Sequence, residues 1–281
     1  MFEKFFNITP TNREALEKGL PEDLLESFQR IRTGQLNIPP NVILVLVPAF
    51  NEEGSIEGVI SRVPKIVCGL NTQVIVINDG STDNTSLVAQ SADALVLEMP
   101  HNSGQGAALK AGYLFALQNK SEFVAVVDGD GQWDPSDLEE MMTPIVNGYA
   151  DFAQGSRRLG STEVEDRFRN IGVEFFTRLI SLLTGTSVGD SSSGYRAYRS
   201  EVLANVRLRQ RQYQSSEILI SAICSGARLY EHPVKMSART AGVSKKAPNW
   251  KYGLFYMRAV LQTTLRDRYI ARLISRTGVR R

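Results

Sequence analysis

The sequence predicts an α/β fold, a mainly parallel sheet covered by helices on both faces, and two observations lead to this prediction. Short apolar runs rich in β-branched residues lack the strict alternation of half-exposed strands, so we expect strands that are buried on both faces. Stretches with helical spacing separate these runs, which is the order of repeated strand–helix–strand units. The predicted strands cover residues 42–47, 74–77, 94–97, 123–127 and 150–154, and the predicted helices cover residues 55–63, 84–92, 106–117 and 170–183. In the last helix we expect the apolar side chains to lie in the core, namely Ile171, Phe175, Phe176, Leu179, Leu182 and Leu183.

The composition is that of an ordinary globular protein. Of the 281 residues, 42% are hydrophobic and 22% are charged, which excludes collagen-like, disulfide-scaffold and wholly disordered chains. The longest apolar run, residues 42–50, is much shorter than the roughly 20 residues of a membrane-spanning helix. Residues 1–10 have no apolar core of signal-peptide length, and Cys68 and Cys224 lack the spacing of metal ligands. We therefore expect a cytoplasmic protein without a spanning segment.

Three segments are expected along the chain: a helical extension over residues 1–40, the α/β domain over residues 41–246 and a basic amphipathic segment over residues 247–281. Thr11 and Glu14 have the spacing of a capping box, and apolar residues further along the extension fall on one helical face. We expect this face to pack on the domain or to join copies of the chain in a homo-oligomer.

The last segment is strongly basic. From Lys245 to Arg281 there are ten basic residues and one acidic residue, Asp267, so this stretch carries +9 and the rest of the chain carries −7. An apolar stripe accompanies the charge, at Leu254, Met257, Leu261, Leu265 and Tyr269. Such a helix is typical of peripheral contact with an anionic membrane; the alternative is a helix packed on the domain with a solvated basic face. Nucleic acid is disfavoured as a partner, because the acidic remainder of the chain would repel it.

Carboxylates follow three of the predicted strands, in residues 48–54, 78–85 and 128–135. Ligands of mainly parallel sheets bind beyond the carboxyl ends of the strands, so we expect these segments to meet at one site. Asp128 and Asp130 stand two apart around a glycine and offer hard oxygen ligands to Mg²⁺ or Mn²⁺. Such an ion completes its shell with phosphate oxygens of a substrate.

Two other nucleotide-binding patterns are missing. No G-x-G-x-x-G follows the first strand, which disfavours a dinucleotide-binding fold. Gly104-Gln105-Gly106 opens a helix but lacks the Lys-Ser/Thr pair of a P-loop, which disfavours an NTPase.

The motifs at these strand ends resemble, in order and spacing, those of the family-2 glycosyltransferases of GT-A fold. They are Pro48-Ala49-Phe50-Asn51-Glu52, Asn78-Asp79-Gly80-Ser81-Thr82-Asp83, Asn102-Ser103-Gly104-Gln105-Gly106 and Asp128-Gly129-Asp130-Gly131-Gln132. Further motifs are similar to the polyprenyl-phosphate glycosyltransferase branch, which includes the dolichyl-phosphate mannose synthases. These are Gly155-Ser156-Arg157, Asp190-Ser191-Ser192-Ser193-Gly194-Tyr195-Arg196, and Arg239 with Lys245 six residues later. The resemblance covers residues 42–246.

The resemblance implies a role for each matching position. The pocket for the nucleotide base and ribose would comprise Pro48, Phe50, Glu52, Ile77 and Asp79. The diphosphate would lie at Asp128, Gly129 and Asp130, clamped by Arg239 and Lys245 on a basic acceptor loop. The ligands of Mg²⁺ or Mn²⁺ would be Asp128, Asp130 and Gln132. The candidate catalytic residues are Asp130, Arg157, Arg169 and Asp190, with the two arginines facing the sugar and the acceptor phosphate.

The reaction implied is the metal-dependent, inverting transfer of a sugar from a UDP- or GDP-sugar to a polyprenyl phosphate. A phosphate acceptor is anionic near neutral pH and needs no general base, whereas a hydroxyl acceptor would need one, with Asp190 or Glu217 as first candidates. Two alternatives stay open: a soluble family-2 glycosyltransferase acting on a saccharide or protein hydroxyl, and an inactive nucleotide-sugar-binding scaffold. The chain departs from the family pattern at Gln105, where relatives often have Lys, and at Asn78, where Asp is frequent. It also lacks the transmembrane helices that many relatives carry after the catalytic domain.

Overall fold

The computed structural model describes residues 38–39, 41–163, 167–206, 208–209, 213–238 and 250–276, with secondary structure alone at 167–169, 250–252 and 269–276. The predicted extension over residues 1–40 therefore lies almost entirely outside the described residues. Arg239 and Lys245 also lie outside them.

The strands of the described chain form one mixed sheet of eight. They are β1 (Val42–Ala49), β2 (Ile66–Val67), β3 (Leu70–Asn78), β4 (Leu95–Glu98), β5 (Phe123–Val126), β6 (Phe152–Thr162), β7 (Arg196–Arg199) and β8 (Leu229–Met236). Their order is β2-β3-β1-β5-β7-β6-β8, with β4 beside β3. The strands β2 and β7 run antiparallel to their neighbours, and the other pairings are parallel. The predicted mainly parallel sheet is thus confirmed.

Helices cover both faces of this sheet. They are α1 (Ile56–Arg62), α2 (Thr85–Ser91), α3 (Gln105–Gln118), α4 (Leu138–Val146), α5 (Arg167–Thr184), α6 (Ser200–Asn205), α7 (Gln214–Cys224) and α8 (Trp250–Arg276), with a 3-10 helix at Pro135–Asp137. One apolar cluster joins the sheet to α3, α5, α6, α7 and α8, and a second joins its other face to α1, α2 and α4. Every residue of β1 is buried, as expected of a central strand with helices above and below.

The shared strand direction brings the functional loops together. The loops that follow β1, β3, β4, β5, β6 and β8 leave the same edge of the sheet, because these strands are mutually parallel. The antiparallel strand β7 begins at that edge, where Arg196 pairs with Val126 at the end of β5. All the segments that carry the family motifs and lie in the described chain therefore converge on one edge.

The helix predicted over residues 170–183 is present as α5, but its expected core was wrong in part. Phe176, Leu179 and Leu183 pack against the core, whereas Ile171, Phe175 and Leu182 are exposed, Ile171 by 68%. The exposed residues were expected inside because they lie beside the buried apolar residues around the helix. The helix packs on α7 and α8, and only the side in contact is buried, the side that carries Thr177 and Ile180.

The last helix, α8, packs on α5 and α7. Tyr256, Ala259 and Val260 are buried in this contact, and Arg266 forms a salt bridge of 3.1 Å from Nη1 to Oε1 of Glu217 in α7. The predicted apolar stripe lies on the outer side of the helix: Leu254, Leu261 and Leu265 are exposed. The helix therefore has a face packed on the domain, as the alternative expectation states, and an exposed apolar face, while its contact with a membrane stays a prediction. Within the described chain, no helix combines the length and apolarity that crossing a bilayer requires.

Candidate active site

Reciprocal hydrogen bonds join the loop after β1 to the loop after β3. The Asn51 amide N–H donates to Oγ of Ser81 (2.9 Å), and the Thr82 amide N–H donates back to Oδ1 of Asn51 (2.8 Å). Asn51 adopts a positive φ of 54°, a conformation that Asn tolerates better than most residues. Gly80 in the second loop has a φ of +69°, and a Cβ there would stand 2.6 Å from the His101 carbonyl carbon, so glycine is required.

Asp79 joins the loop after β3 to the loop that opens α3. Its Oδ1 accepts from the Ser103 amide N–H (2.8 Å), and its Oδ2 accepts from the Gly104 amide N–H (2.7 Å). The side chain is buried, which raises the pKa of Asp79, although the two amide hydrogen bonds oppose that rise. Asp79 therefore fixes the loop after β3 to the segment that opens α3.

Two further hydrogen bonds close these loops into a ring. Gln105 Nε2 donates to Oδ1 of Asp128 (2.8 Å), joining the start of α3 to the loop after β5. Ser55 Oγ donates to the Gly129 carbonyl (2.8 Å), joining that loop back to the segment after β1. The four loops that carry the motifs thus hold one another in a closed set of contacts, which preorganises the edge of the sheet.

The predicted metal ligands lie in the fourth loop. Asp130 and Gln132 are buried, and the Gln132 amide N–H donates to Oδ1 of Asp130 (3.1 Å). The Gln132 side chain donates through Nε2 to the Ser237 carbonyl (3.3 Å), so its amide oxygen is the atom left for a cation. Asp128 packs directly on Gly194 of the segment before β7, where a Cβ would stand 1.8 Å from Oδ2.

These residues fit a hard divalent cation in their chemistry. Carboxylate and amide oxygens are ligands that Mg²⁺ and Mn²⁺ prefer, and Mg²⁺ sites commonly use one or two carboxylates together with water and substrate phosphates. Within the described residues, no three His, Cys, Asp or Glu side chains are grouped so that they could hold a metal by themselves.

A charged pair, Arg157 and Asp190, lies beside the loop after β5. Arg157 binds Asp190 through two parallel hydrogen bonds, from Nε to Oδ2 (2.6 Å) and from Nη2 to Oδ1 (2.7 Å). Arg157 Nη2 also donates to Oγ of Ser192 (2.6 Å), and its guanidinium lies 5.8 Å from the ring centre of Trp133. The structure therefore brings two predicted catalytic residues together as a largely buried bidentate pair.

Glu231, which is not among the predicted site residues, fixes the backbone at Asp190. Glu231 in β8 accepts from the amide N–H groups of Gly189 (2.6 Å) and Asp190 (3.1 Å) and from Nε2 of Gln154 (2.8 Å). Gln154 Nε2 also donates to the Asp190 carbonyl (2.8 Å). No sequence signal points to Glu231, because its partners are distant in the chain and meet it only through the pairing of β6 with β8.

The remaining predicted residues are placed as follows. Pro48 and Ile77 are buried and paired in register between β1 and β3, so this part of the predicted base pocket is brought together. Glu52 lies in the first loop, where its Oε2 accepts from Ser55 Oγ (2.9 Å). Phe50 is half-buried in the same loop. Arg169 lies in the first turn of α5, where the structure describes the backbone alone.

Glu217, the other candidate base, is occupied elsewhere. It is buried in α7, where its two oxygens accept from the Arg209 amide N–H (2.9 and 3.0 Å) and Oε1 pairs with Arg266 of α8. These contacts give Glu217 a role in holding the last helix.

Comparison with known proteins identifies the class. The family model described as Glycosyl transferase family 2 matches residues 44–207. A dolichyl-phosphate hexose transferase of Haloferax volcanii is 31% identical over 206 residues, covering 73% of this chain and 87% of the relative. A polyprenol monophosphomannose synthase of Mycolicibacterium smegmatis is 30% identical over 219 residues, covering 74% and 82%.

The solved structures agree on the fold. Glucosyl-3-phosphoglycerate synthase of Mycobacterium tuberculosis, solved with Mn²⁺ and UDP-glucose, superimposes with a TM-score of 0.60 at 20% identity, over 86% of this chain and 82% of that one. The fold is that of a GT-A glycosyltransferase. The chain belongs to glycosyl transferase family 2, and its relatives confirm the resemblance to the polyprenyl-phosphate branch.

Proposed function

We propose that this enzyme transfers a sugar from a UDP- or GDP-sugar to a polyprenyl phosphate, with inversion and with Mg²⁺ or Mn²⁺. The observation that carries the proposal is the closed ring of strand-end loops, which holds Asp128, Asp130 and Gln132 beside the Arg157–Asp190 pair. The names of the two relatives, which refer to dolichyl phosphate and polyprenol, support a lipid phosphate acceptor. The catalytic domain of the proposal spans residues 41–246.

The donor would lie over the first two loops and the loop after β5. Pro48, Phe50, Glu52, Ile77 and Asp79 would bind the base and ribose. Asp128, Asp130 and Gln132 would hold the cation, which neutralises charge on the leaving nucleoside diphosphate. Arg239 and Lys245, which follow β8 in the chain and lie outside the described residues, would clamp the diphosphate.

The geometry of Asp190 favours a phosphate acceptor over a hydroxyl acceptor. A hydroxyl nucleophile needs a base, yet both oxygens of Asp190 already accept from Arg157. Freeing Asp190 would leave a buried guanidinium unpaired, which is strongly unfavourable. A phosphate acceptor is already anionic and needs no general base, so Asp190 can stay paired with Arg157. Arg157, with Arg169, would then face the sugar and the acceptor phosphate.

Peripheral contact with a membrane would bring the lipid to this site. The outer face of α8 presents Leu254 (59% exposed) and Leu265 (71% exposed) together with the exposed Arg258. The neighbouring helix α5 adds exposed apolar residues of its own, Ile171, Phe175 and Leu182. Apolar side chains mixed with arginine suit an anionic lipid interface. Both helices follow strands that end at the active edge, α5 after β6 and α8 after β8.

The test is transfer itself. The full chain is incubated with UDP- and GDP-hexoses, Mn²⁺ or Mg²⁺, and undecaprenyl or dolichyl phosphate, and products are identified by mass. We expect a lipid monophosphate hexose with one donor. Transfer to a saccharide or protein hydroxyl, and none to the lipids, would contradict the proposed acceptor and support the soluble alternative. Nucleotide-sugar binding without transfer to any acceptor would support the scaffold alternative.

A further inference from the structure

A buried cation, Arg196, lies under the active edge, where it has a side-chain hydrogen bond with Tyr198 but no salt bridge within the described chain. Arg196 is the first residue of β7, where it pairs with Val126 of β5 and Gln154 of β6. It is 3% exposed, and its Nε and Nη2 are buried with no hydrogen-bond partner among the described residues. None of the salt bridges within the described chain involves Arg196.

The surroundings of Arg196 connect it to the site. Two residues before it, Gly194 packs against the carboxylate of Asp128. Burial raises the pKa of Tyr198 and of Tyr256, and the charge of Arg196 opposes both rises, so its guanidinium lies near both hydroxyls. The carboxylate of Asp190 acts on Tyr256 in the opposite sense. Arg196 therefore lies behind the edge that carries Asp128 and Asp190.

Such an arrangement is unfavourable in the free protein. A guanidinium removed from water with two of its nitrogens unpartnered and no salt bridge in the described chain destabilises the fold, because a buried cation is normally paired with an anion. A buried charge also acts over several ångströms, because little solvent screens it. An anion bound at the edge would therefore be stabilised by Arg196 without touching it.

We propose that Arg196 is an electrostatic positioning residue that stabilises a phosphate group of a substrate bound at this edge. The inference rests on the proposed function, in which both the donor and the acceptor carry phosphate. The donor diphosphate and the lipid phosphate share this chemistry, and the experiment separates them.

The experiment measures binding rather than turnover. Arg196→Met removes the charge and keeps the length of the side chain. Its affinity for UDP and GDP with Mn²⁺, and for farnesyl phosphate as a short polyprenyl phosphate, is compared with wild type by calorimetry. We expect roughly tenfold to thirtyfold weaker binding of at least one ligand, the effect of a unit charge about 8 Å away at an intermediate dielectric. Loss for UDP or GDP assigns Arg196 to the donor, and loss for farnesyl phosphate assigns it to the acceptor.

The urea unfolding midpoint is a second measurement. Replacing an arginine with a purely structural role should lower this midpoint. Without ligand, Arg196→Met should unfold in urea at the same or a higher midpoint than wild type, because an unpaired charge has been removed. The matched control is Arg199→Gln at the opposite end of β7, where Arg199 pairs with Glu122 (2.9 Å). The control should keep wild-type affinity for all three ligands.

Wild-type affinity of Arg196→Met for every ligand would overturn the inference, and a lower urea midpoint together with that result would assign Arg196 a structural role. If Arg196→Met does not fold, Arg196→Lys and Arg196→Gln test the inference instead. Arg196→Lys keeps the charge and should bind the ligands within about threefold of wild type, whereas Arg196→Gln should bind at least one of them more weakly than that. Binding needs no transfer, so the two proposals fail separately. An enzyme that transfers sugar to lipid while Arg196→Met binds like wild type contradicts only this inference.

Discussion

At the scale of single residues, the candidate site depends on which carboxylates are already engaged in the free protein. Asp79 accepts from two loop amides and Asp190 from a guanidinium, so both hold the architecture. Asp128 accepts from the neutral amide of Gln105, a position where relatives often have Lys. Residue type alone does not distinguish these contacts, because all three residues are aspartates near the same edge of the sheet.

Asp130→Asn tests the proposed metal ligand. The substitution keeps the shape of the side chain and the hydrogen bond from the Gln132 amide, so we expect an unchanged unfolding midpoint. Turnover with saturating Mn²⁺ should fall by about a hundredfold or more, because charge stabilisation by the ion contributes several kcal/mol. Asp93→Asn, on an exposed turn at a φ of 66° that Asn also adopts, is the control and should keep full activity. Near-wild-type turnover of Asp130→Asn would exclude it as a ligand.

Arg239→Ala and Lys245→Ala test the proposed clamp on the diphosphate. Each should weaken binding of the nucleoside diphosphate by roughly 1.5–3 kcal/mol, the size of a hydrogen bond to a charged group. Calorimetry with UDP and GDP measures this change. Unchanged affinity in both variants would remove the clamp from the proposal.

At the scale of elements, α8 has an inner face packed on the domain and an exposed outer face. The inner face is fixed by the buried charges of Arg266, Asp267 and Glu217, and Asp267 also accepts from the hydroxyl of Ser221. The outer face presents the apolar stripe that the sequence predicts. Deleting α8 would also remove buried core residues such as Tyr256, so substitutions on the outer face separate membrane binding from folding.

The double variant Leu254→Ser/Leu265→Ser tests membrane contact. Each leucine contributes up to about 1.5–3 kcal/mol when its side chain is fully buried, so we expect at least tenfold weaker co-sedimentation with anionic vesicles. Wild-type binding should also weaken with added salt, since lipid-facing arginines are screened within about 10 Å at 0.1 M. Gln262→Ser, exposed on the same helix, is the control. A wild-type protein that stays in the supernatant at low salt would contradict the membrane role.

At the scale of the whole molecule, the two edges of the sheet have different tasks. The carboxyl edge carries the motifs, and the opposite edge is closed by contacts such as the one between Asp151, just before β6, and Arg228, just before β8. Arg228 donates from Nε to Oδ2 (2.9 Å) and from Nη2 to Oδ1 (2.8 Å) of Asp151. These hydrogen bonds hold the pKa of Asp151 below its ordinary value. We therefore expect substitutions at the opposite edge to change the free energy of unfolding and to leave the transfer activity unchanged.

Asp151→Asn tests this expectation through pH. A carboxyl group whose pKa is lowered by folding contributes stability above its unfolded value, near 4, and loses it as the pH falls through the folded pKa. The variant should thus be less stable than wild type at pH 6, by at most about 1 kcal/mol because the pair is partly exposed, and the difference should shrink below pH 4. Urea unfolding at several pH values measures this. A constant difference across the range, or a loss of transfer activity, would contradict this expectation.

The sequence by itself determined the sheet, the family and the edge at which the motifs meet. Buried strands carry continuous apolar runs whose pattern is local, and parallel strands place their carboxyl ends together whatever the details of packing. The position of Asp128 and Asp130 at this edge was therefore predictable, whereas Gln132, Arg157 and Asp190 were implied by the family resemblance.

Only the tertiary structure decided which partners these residues have. Glu231 reaches Asp190 across 41 positions, and Arg196 lies buried without a counter-ion in the described chain, and neither fact has a local signature in the sequence. The same holds for Ile171 and Leu182, which are exposed because α5 packs on α7 and α8 with another side. Hydrophobic periodicity shows that a helix has an apolar face, but burial depends on contacts between segments distant in the chain.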